Sequence, residues 1–209
     1  MADLFRIGMA GIIFLSFELG LARADAIDDC NGVGSDQRIA GCTIVIADPK
    51  QSKSNLEAAY VARGNAYDTT QEYDKALADF EKATELDPKD GNARYNHGVA
   101  NEHRGDLQMA LKDYDLSLKL APKVAETYLA RGNVHFNLDK PQDALRDYQK
   151  ALLLDHKNLG AVYGRGLALS VLGKKKRAIA DFKMVIDKSQ DEDLVASAMT
   201  ELEKINKKP

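Results

Sequence analysis

A 34-residue period limits what this chain can fold into more than any other feature. Gly64, Gly98, Gly132 and Gly166 stand 34 apart, and so do Ala76, Ala110, Ala144 and Ala178. Phe80, Tyr114, Tyr148 and Phe182 keep the same step. Three residue classes holding one register over four units predict stacked helix–turn–helix repeats. With units at 57–90, 91–124, 125–158 and 159–192, a first helix fills roughly the first 14 positions and a second starts near position 17. Glycine at position 8 and alanine at position 20 lack bulk, so the two helices can approach closely. The aromatic at position 24 fills the space they leave.

Turn chemistry supports this register. Gly105 and Gly173 occupy position 15, where a residue past a helix end takes a left-handed conformation. Pro141 falls at the first residue of a second helix, where its missing N–H costs nothing. Leu86-Asp87-Pro88 and Leu120-Ala121-Pro122 close the first two units, because the residue before proline is pushed out of the helical region. His156 and Gln190 replace that proline later, which predicts less sharply turned ends there. Position 23 is Asp79, Asp113, Asp147 and Asp181, and position 7 is Arg63, His97, Arg131 and Arg165. Charge pairs between packed helices explain this recurrence better than catalysis, since an active site is not needed four times.

Over 57–192 these residues resemble the tetratricopeptide repeat (TPR) family. The resemblance implies an all-α, right-handed superhelix, an α-solenoid whose first helices line a concave groove. It places positions 2, 5, 9, 12 and 13 in that groove. The groove candidates are then Asn65, Tyr95, Val99, Leu129, Asn133, Phe136, Tyr163 and Leu167. Position 12 supplies Asp68, Glu102, Phe136 and Ser170. Tyrosines offer large contact area with a polar tip, and asparagines can hydrogen-bond a peptide backbone in both directions. The family's clamp for acidic C-termini is matched in its asparagines only. Its lysine at position 5 and its basic residue at position 9 are missing. Packing between neighbouring first helices competes with ligand contact at each of these positions.

The ends differ from the repeats. Arg6, the apolar run Ile7 to Phe17 and Ala22-Arg23-Ala24 read as a secretory signal peptide over 1–24, cut before Asp25. The expected location is therefore periplasmic or secreted, with no stable membrane insertion after cleavage. The chain has two cysteines, Cys30 and Cys42. In an exported chain they suggest one disulfide within an N-terminal segment, 25–56. A loop of that size stabilises by about 3 kcal/mol in the chain-entropy model. Cys42 to Ile46 has strand-like composition. Ser35 as a cap and the spacing of Ile39, Cys42 and Ile46 favour a helix instead, since a lone strand would have no partner. Ser54 and Glu57 form a candidate capping box. Residues 193–209 make a capping helix and tail, with Asp191 as N-cap and Leu194, Val195, Ala198, Leu202 and Ile205 on one face. The run from Arg38 to Thr43, followed by Arg63-Gly64-Asn65-Ala66-Tyr67, is similar to a group of exported bacterial TPR proteins without a defined activity.

No reaction centre emerges. The chain lacks a G-x-S-x-G elbow and an H-E-x-x-H pair. Its four histidines are spread from His97 to His156 with no metal-ligand spacing, so neither a metal nor another cofactor is expected. Glu102 and His103 are adjacent on a helix and do not face each other as acid and base. Lys174-Lys175-Lys176-Arg177, the one dense basic cluster, falls in a turn and reads as solvated. A formal net charge of −3 argues against nucleic acid. The sequence points to a non-catalytic interaction scaffold of the bacterial cell envelope, holding a peptide or helix of another envelope protein. A second reading is self-assembly, with helix 191–206 entering a neighbour's groove. An enzyme or small-ligand carrier is a distant third.

Overall fold

The computed structural model describes residues 25–207; the expected signal peptide and Lys208-Pro209 lie outside the described residues. Among these, eleven helices occur and no strand. They are α1 (25–30), α2 (Ser35–Ala47), α3 (Lys53–Thr69), α4 (Tyr73–Leu86), α5 (Gly91–Arg104), α6 (Leu107–Leu120), α7 (Ala125–Asn137), α8 (Pro141–Leu154), α9 (Leu159–Val171), α10 (Lys175–Lys188) and α11 (Glu192–Lys207). The chain divides into two compact units between Lys89 and Asp90.

In each helix pair, close approach at position 8 sets the packing. A β-carbon added at Gly64 would lie 2.7 Å from the Phe80 ring, and one at Gly98 2.7 Å from Tyr114. The same distance is 2.8 Å for Gly132 and Tyr148, and 2.7 Å for Gly166 and Phe182. All four rings are buried, as are the alanines at position 20. Burying a large aromatic side chain is worth about 1.5–3 kcal/mol. Tyr148 also lies over Gly164 of α9, so this one ring joins two neighbouring pairs.

Position 15 is left-handed in every pair. Gly105 has φ 94° and Gly173 φ 72°, as their residue type predicts; Gln71 (φ 64°) and Asp139 (φ 56°) adopt the same region. The cause is the helix ending. The N–H of Glu72 donates to Tyr67 O, Asp106 to Asn101 O, Lys140 to His135 O and Lys174 to Leu169 O, at 2.8–2.9 Å. This closure turns the chain into the second helix and requires a left-handed residue one step earlier.

Several ends depart from expectation. The second helices stop at Leu86, Leu120, Leu154 and Lys188, one period apart, with or without a following proline. The less sharply turned ends expected near His156 and Gln190 are absent. Asp155 Oδ1 accepts from Lys157 N at 3.0 Å, and Ser189 Oγ from Asp191 N at 3.1 Å. Asp87 makes the same turn to Lys89 N at 2.9 Å although proline follows it, so the side-chain turn serves these ends with or without proline. The α3 cap is Ser52, whose side chain accepts from Asn55 N, so the box expected at Ser54 and Glu57 is corrected by two residues. Ser52 wins because Asp48 and Gln51 hold the preceding turn. Helix α2 forms as expected, but Gly34 precedes it and Ser35 is its first residue rather than its cap. Asp191 does cap α11, with Oδ1 accepting from Leu194 N at 3.1 Å.

In the first unit, Cys30 and Cys42 form a disulfide that ties α1 to α2. Both are buried with Ala26, Val45 and Ala59, so the bond closes a small core of its own. In the second unit, α11 packs on α10 and α9 of its own chain. Ala198 and Ile205 are buried there, with Leu194 and Leu202 partly buried beside them.

Two outcomes follow from these contacts. Gly132→Ala should gain roughly 1 kcal/mol of helix propensity but lose about 1–3 kcal/mol to overpacking against Tyr148. Urea denaturation should therefore show a net destabilised protein. Gln71→Gly should stabilise by about 0.5–1 kcal/mol, because it removes a left-handed non-glycine residue that packing does not reward. An upward shift of the urea midpoint checks it.

Candidate functional site

The inner face of the second unit is built by its first helices. α5 contacts α7, α7 contacts α9 and α9 contacts α11, whereas α6, α8 and α10 make no contacts with one another among the described residues. The first helices therefore converge, and their shared exposed side is the candidate surface.

The recurring charge pairs fix the tilt of each first helix on its second. Arg63 grips Asp79 with two hydrogen bonds, 2.7 and 2.8 Å. Arg131 grips Asp147 at 2.9 and 2.6 Å, and Arg165 grips Asp181 at 2.8 and 2.7 Å. The four position-23 aspartates are only 4–5 % exposed. A buried carboxylate needs such a two-toothed partner. Where arginine is absent, three groups replace it. His97 Nδ1 lies 2.8 Å from Asp113, Asn101 Nδ2 donates at 2.9 Å and Arg94 stands 3.9 Å away. These residues are structural, as their repetition predicts.

The expected groove residues divide by environment. Asn65 sits half-buried on α3 in the first unit, while the other seven belong to the second unit. Tyr95 and Val99 are half-buried against the cluster of Ala110, Tyr114 and Val134. The Tyr95 ring stands 5.7 Å from that of Tyr114. Leu129, Phe136, Tyr163 and Leu167 are half-buried against the C-terminal core. Tyr163 stands 5.8 Å from Phe182. Asn133 is exposed, and its Oδ1 accepts from the Tyr148 hydroxyl at 2.9 Å. Both packing and exposure are thus present. Tyr163 is largely committed to its own chain, whereas Asn133 faces solvent.

Glu102, absent from the expected site, is the centre of this face. It is half-buried, and the Tyr114 hydroxyl donates to its Oε2 at 2.8 Å. Burial pushes its carboxyl above the ordinary carboxylate value, against the Tyr114 hydrogen bond and His103, which pull it down. Its charge reaches the hydroxyls of Tyr95, Tyr114 and Tyr148, each raised chiefly by burial. Glu126 on α7 acts on Tyr95 as well. Position 12 did place Glu102 in the groove from sequence; its surrounding tyrosines come from three helices and could be found only by folding the repeat.

The described residues contain no group of three His, Cys, Asp or Glu side chains placed to hold a metal. None of the described helices is long and apolar enough to cross a membrane. Lys174, Lys176 and Arg177 are exposed at the start of α10, as expected for a solvated turn.

His135 offers a pH test of this packing. Its Nδ1 is buried without a hydrogen-bond partner, and burial lowers the imidazole below 6.5, although Asp147 lies 3.7 Å from Nε2. The unfolded chain then takes up this proton first as pH falls. Stability should drop as pH passes below about 6.5 and level off under the folded value. His135→Gln should flatten that part of the profile, read by denaturant midpoints at pH 7.5 and 5.5.

Comparison with known proteins agrees with this geometry. Residues 61–125 and 125–158 match the tetratricopeptide repeat family. Among curated proteins none matches the sequence. Among solved structures, MamA 41-end from Desulfovibrio magneticus RS-1 superposes with a TM-score of 0.71 at 20% identity, over 82% of this chain and 96% of that one. YrrB, described as a TPR protein with an unusual peptide-binding site, gives 0.64 at 20% identity, over 79% and 84%. The first TPR of Spaghetti (RPAP3), bound to the HSP90 peptide SRMEEVD, gives 0.55 at 25% identity, over 56% and 93%.

Proposed function

The chain is a tetratricopeptide repeat protein over residues 61–158, and on that premise we propose that it is a non-catalytic scaffold that holds a segment of another protein on the inner face of α5, α7 and α9. The observation that carries this reading is the composition of that face. Tyr95, Val99, Leu129, Phe136 and Leu167 leave apolar area partly exposed, and Asn133 adds an exposed amide. Half-buried apolar area with an amide beside it suits an extended peptide or a helix better than a small solute. The peptide complexes of similar proteins support the same use.

We place the working location outside the cytoplasm, in the bacterial cell envelope. The leader-like sequence over 1–24 and the Cys30–Cys42 disulfide support this reading. Fractionation of the source cells tests it: the chain should appear in the envelope fraction, shortened to begin at Asp25. Recovery of the full-length chain in the cytoplasm would refute export.

Binding on this face is tested by Asn133→Arg. The site is exposed, so the fold should persist while a long charged side chain crosses the face. A partner captured by the full chain should be lost from the Arg form, with unchanged helical circular dichroism. Equal capture by both forms would move the contact elsewhere. Self-assembly through α11 is less favoured, because α11 already buries Ala198 and Ile205 on its own chain.

A further inference from the structure

The inner face of the second unit is acidic apart from one histidine. Positions 2, 5, 9, 12 and 13 of α5, α7 and α9 include Glu102, Glu126 and His103 but neither lysine nor arginine. Lys204 on α11, whose charge reaches Tyr163, is paired with Glu201 at 2.6 Å. Arg94 is drawn toward Asp113, and Arg131 and Arg165 are spent on the aspartates of the second helices.

Glu102 differs from the other half-buried or buried carboxylates described above in having a phenol as its hydrogen-bond partner. The buried aspartates have cationic or amide partners that grip them, and the surface glutamates Glu201 and Glu203 have lysines. Glu102 has a phenol, Tyr114, at 2.8 Å, and its charge also bears on Tyr95 and Tyr148. The half-buried Tyr95 ring can attract a cation through its face. Glu102 has His103 of its own helix as a charge neighbour but no lysine or arginine bonded to it, and a half-desolvated carboxylate in that state gains from a bound cation. Asn133, tied to Tyr148 at 2.9 Å, stands at the edge of the same group and can hold the backbone of whatever enters.

We propose that the groove of α5, α7 and α9 selects a partner segment bearing a lysine or arginine, whose side chain lies beside the half-buried Tyr95 and pairs with Glu102. This rests on the groove reading above and adds the chemistry of the partner. The segment is basic with apolar flanks that cover Val99, Leu129 and Phe136. An acidic segment would place like charge against Glu102 and Glu126 and is excluded by the same arrangement.

The test uses a display library of random twelve-residue peptides selected on the full chain. Peptides that bind in a manner abolished by Asn133→Arg should share a lysine or arginine beside apolar residues. Their Kd should rise about 10- to 100-fold in Glu102→Gln, the range expected when a charged hydrogen bond is lost. Replacing the peptide's own lysine by glutamine should cost the same, and the two losses should not add. That non-additivity separates pairing from damage to the fold. If Glu102→Gln does not fold, the peptide-side substitution and its loss at high salt carry the test alone. Groove-dependent peptides without a cation, or with additive losses, would overturn the pairing and leave the groove intact. Absence of any peptide sensitive to Asn133→Arg would overturn the groove itself.

Discussion

Everything in this protein rests on a ring laid on a glycine. The aromatic at position 24 lies so close over position 8 that a single added carbon would meet it below 3 Å. The contact sets how near the two helices of a pair come. That distance in turn lets position 7 reach position 23, so the arginine forks close on their aspartates. Tyr148 extends the same logic by one step. It covers Gly132 within its own pair and Gly164 in the next, and its hydroxyl still reaches Asn133. One side chain thereby joins core packing to the candidate face.

The residues that identify the fold do so because each role admits few residue types. Only glycine tolerates the ring at position 8, and only a short carboxylate meets the fork at position 23. The departures from expectation fall where several types satisfy one physical demand. Gln71 and Asp139 take the left-handed turn that Gly105 and Gly173 announce, because the hydrogen bond closing the helix outweighs their preference. Asp155 and Ser189 form the turns after helices that lack the closing proline and were expected to end less sharply. Ser52 caps where Ser54 was expected, since both are serines and only the preceding turn distinguishes them.

The candidate face was half legible. Tyr95, Val99, Leu129, Asn133, Phe136, Tyr163 and Leu167 lie on the first helices of the second unit, as the period requires. What the period could not give is how each divides its surface between neighbours and solvent. Tyr163 is drawn against the C-terminal core beside Phe182, and Asn133 is left outside. The weight of Glu102 was hidden for a related reason. Its environment is assembled from α5, α6 and α8, and no window of sequence contains it.

The end of the array has a consequence for how many copies can join. α11 sits against α9 and α10 as another first helix would, but its outer side carries Lys204 with Glu201 and Lys207 with Glu203, around one exposed methionine, Met199. A helical stack offers each new layer a dry seat; this one ends in hydrated ion pairs that a further layer would have to strip of water. Head-to-tail polymerisation from that end is thus opposed by desolvation. That side of α11 is suited to water rather than to a further layer.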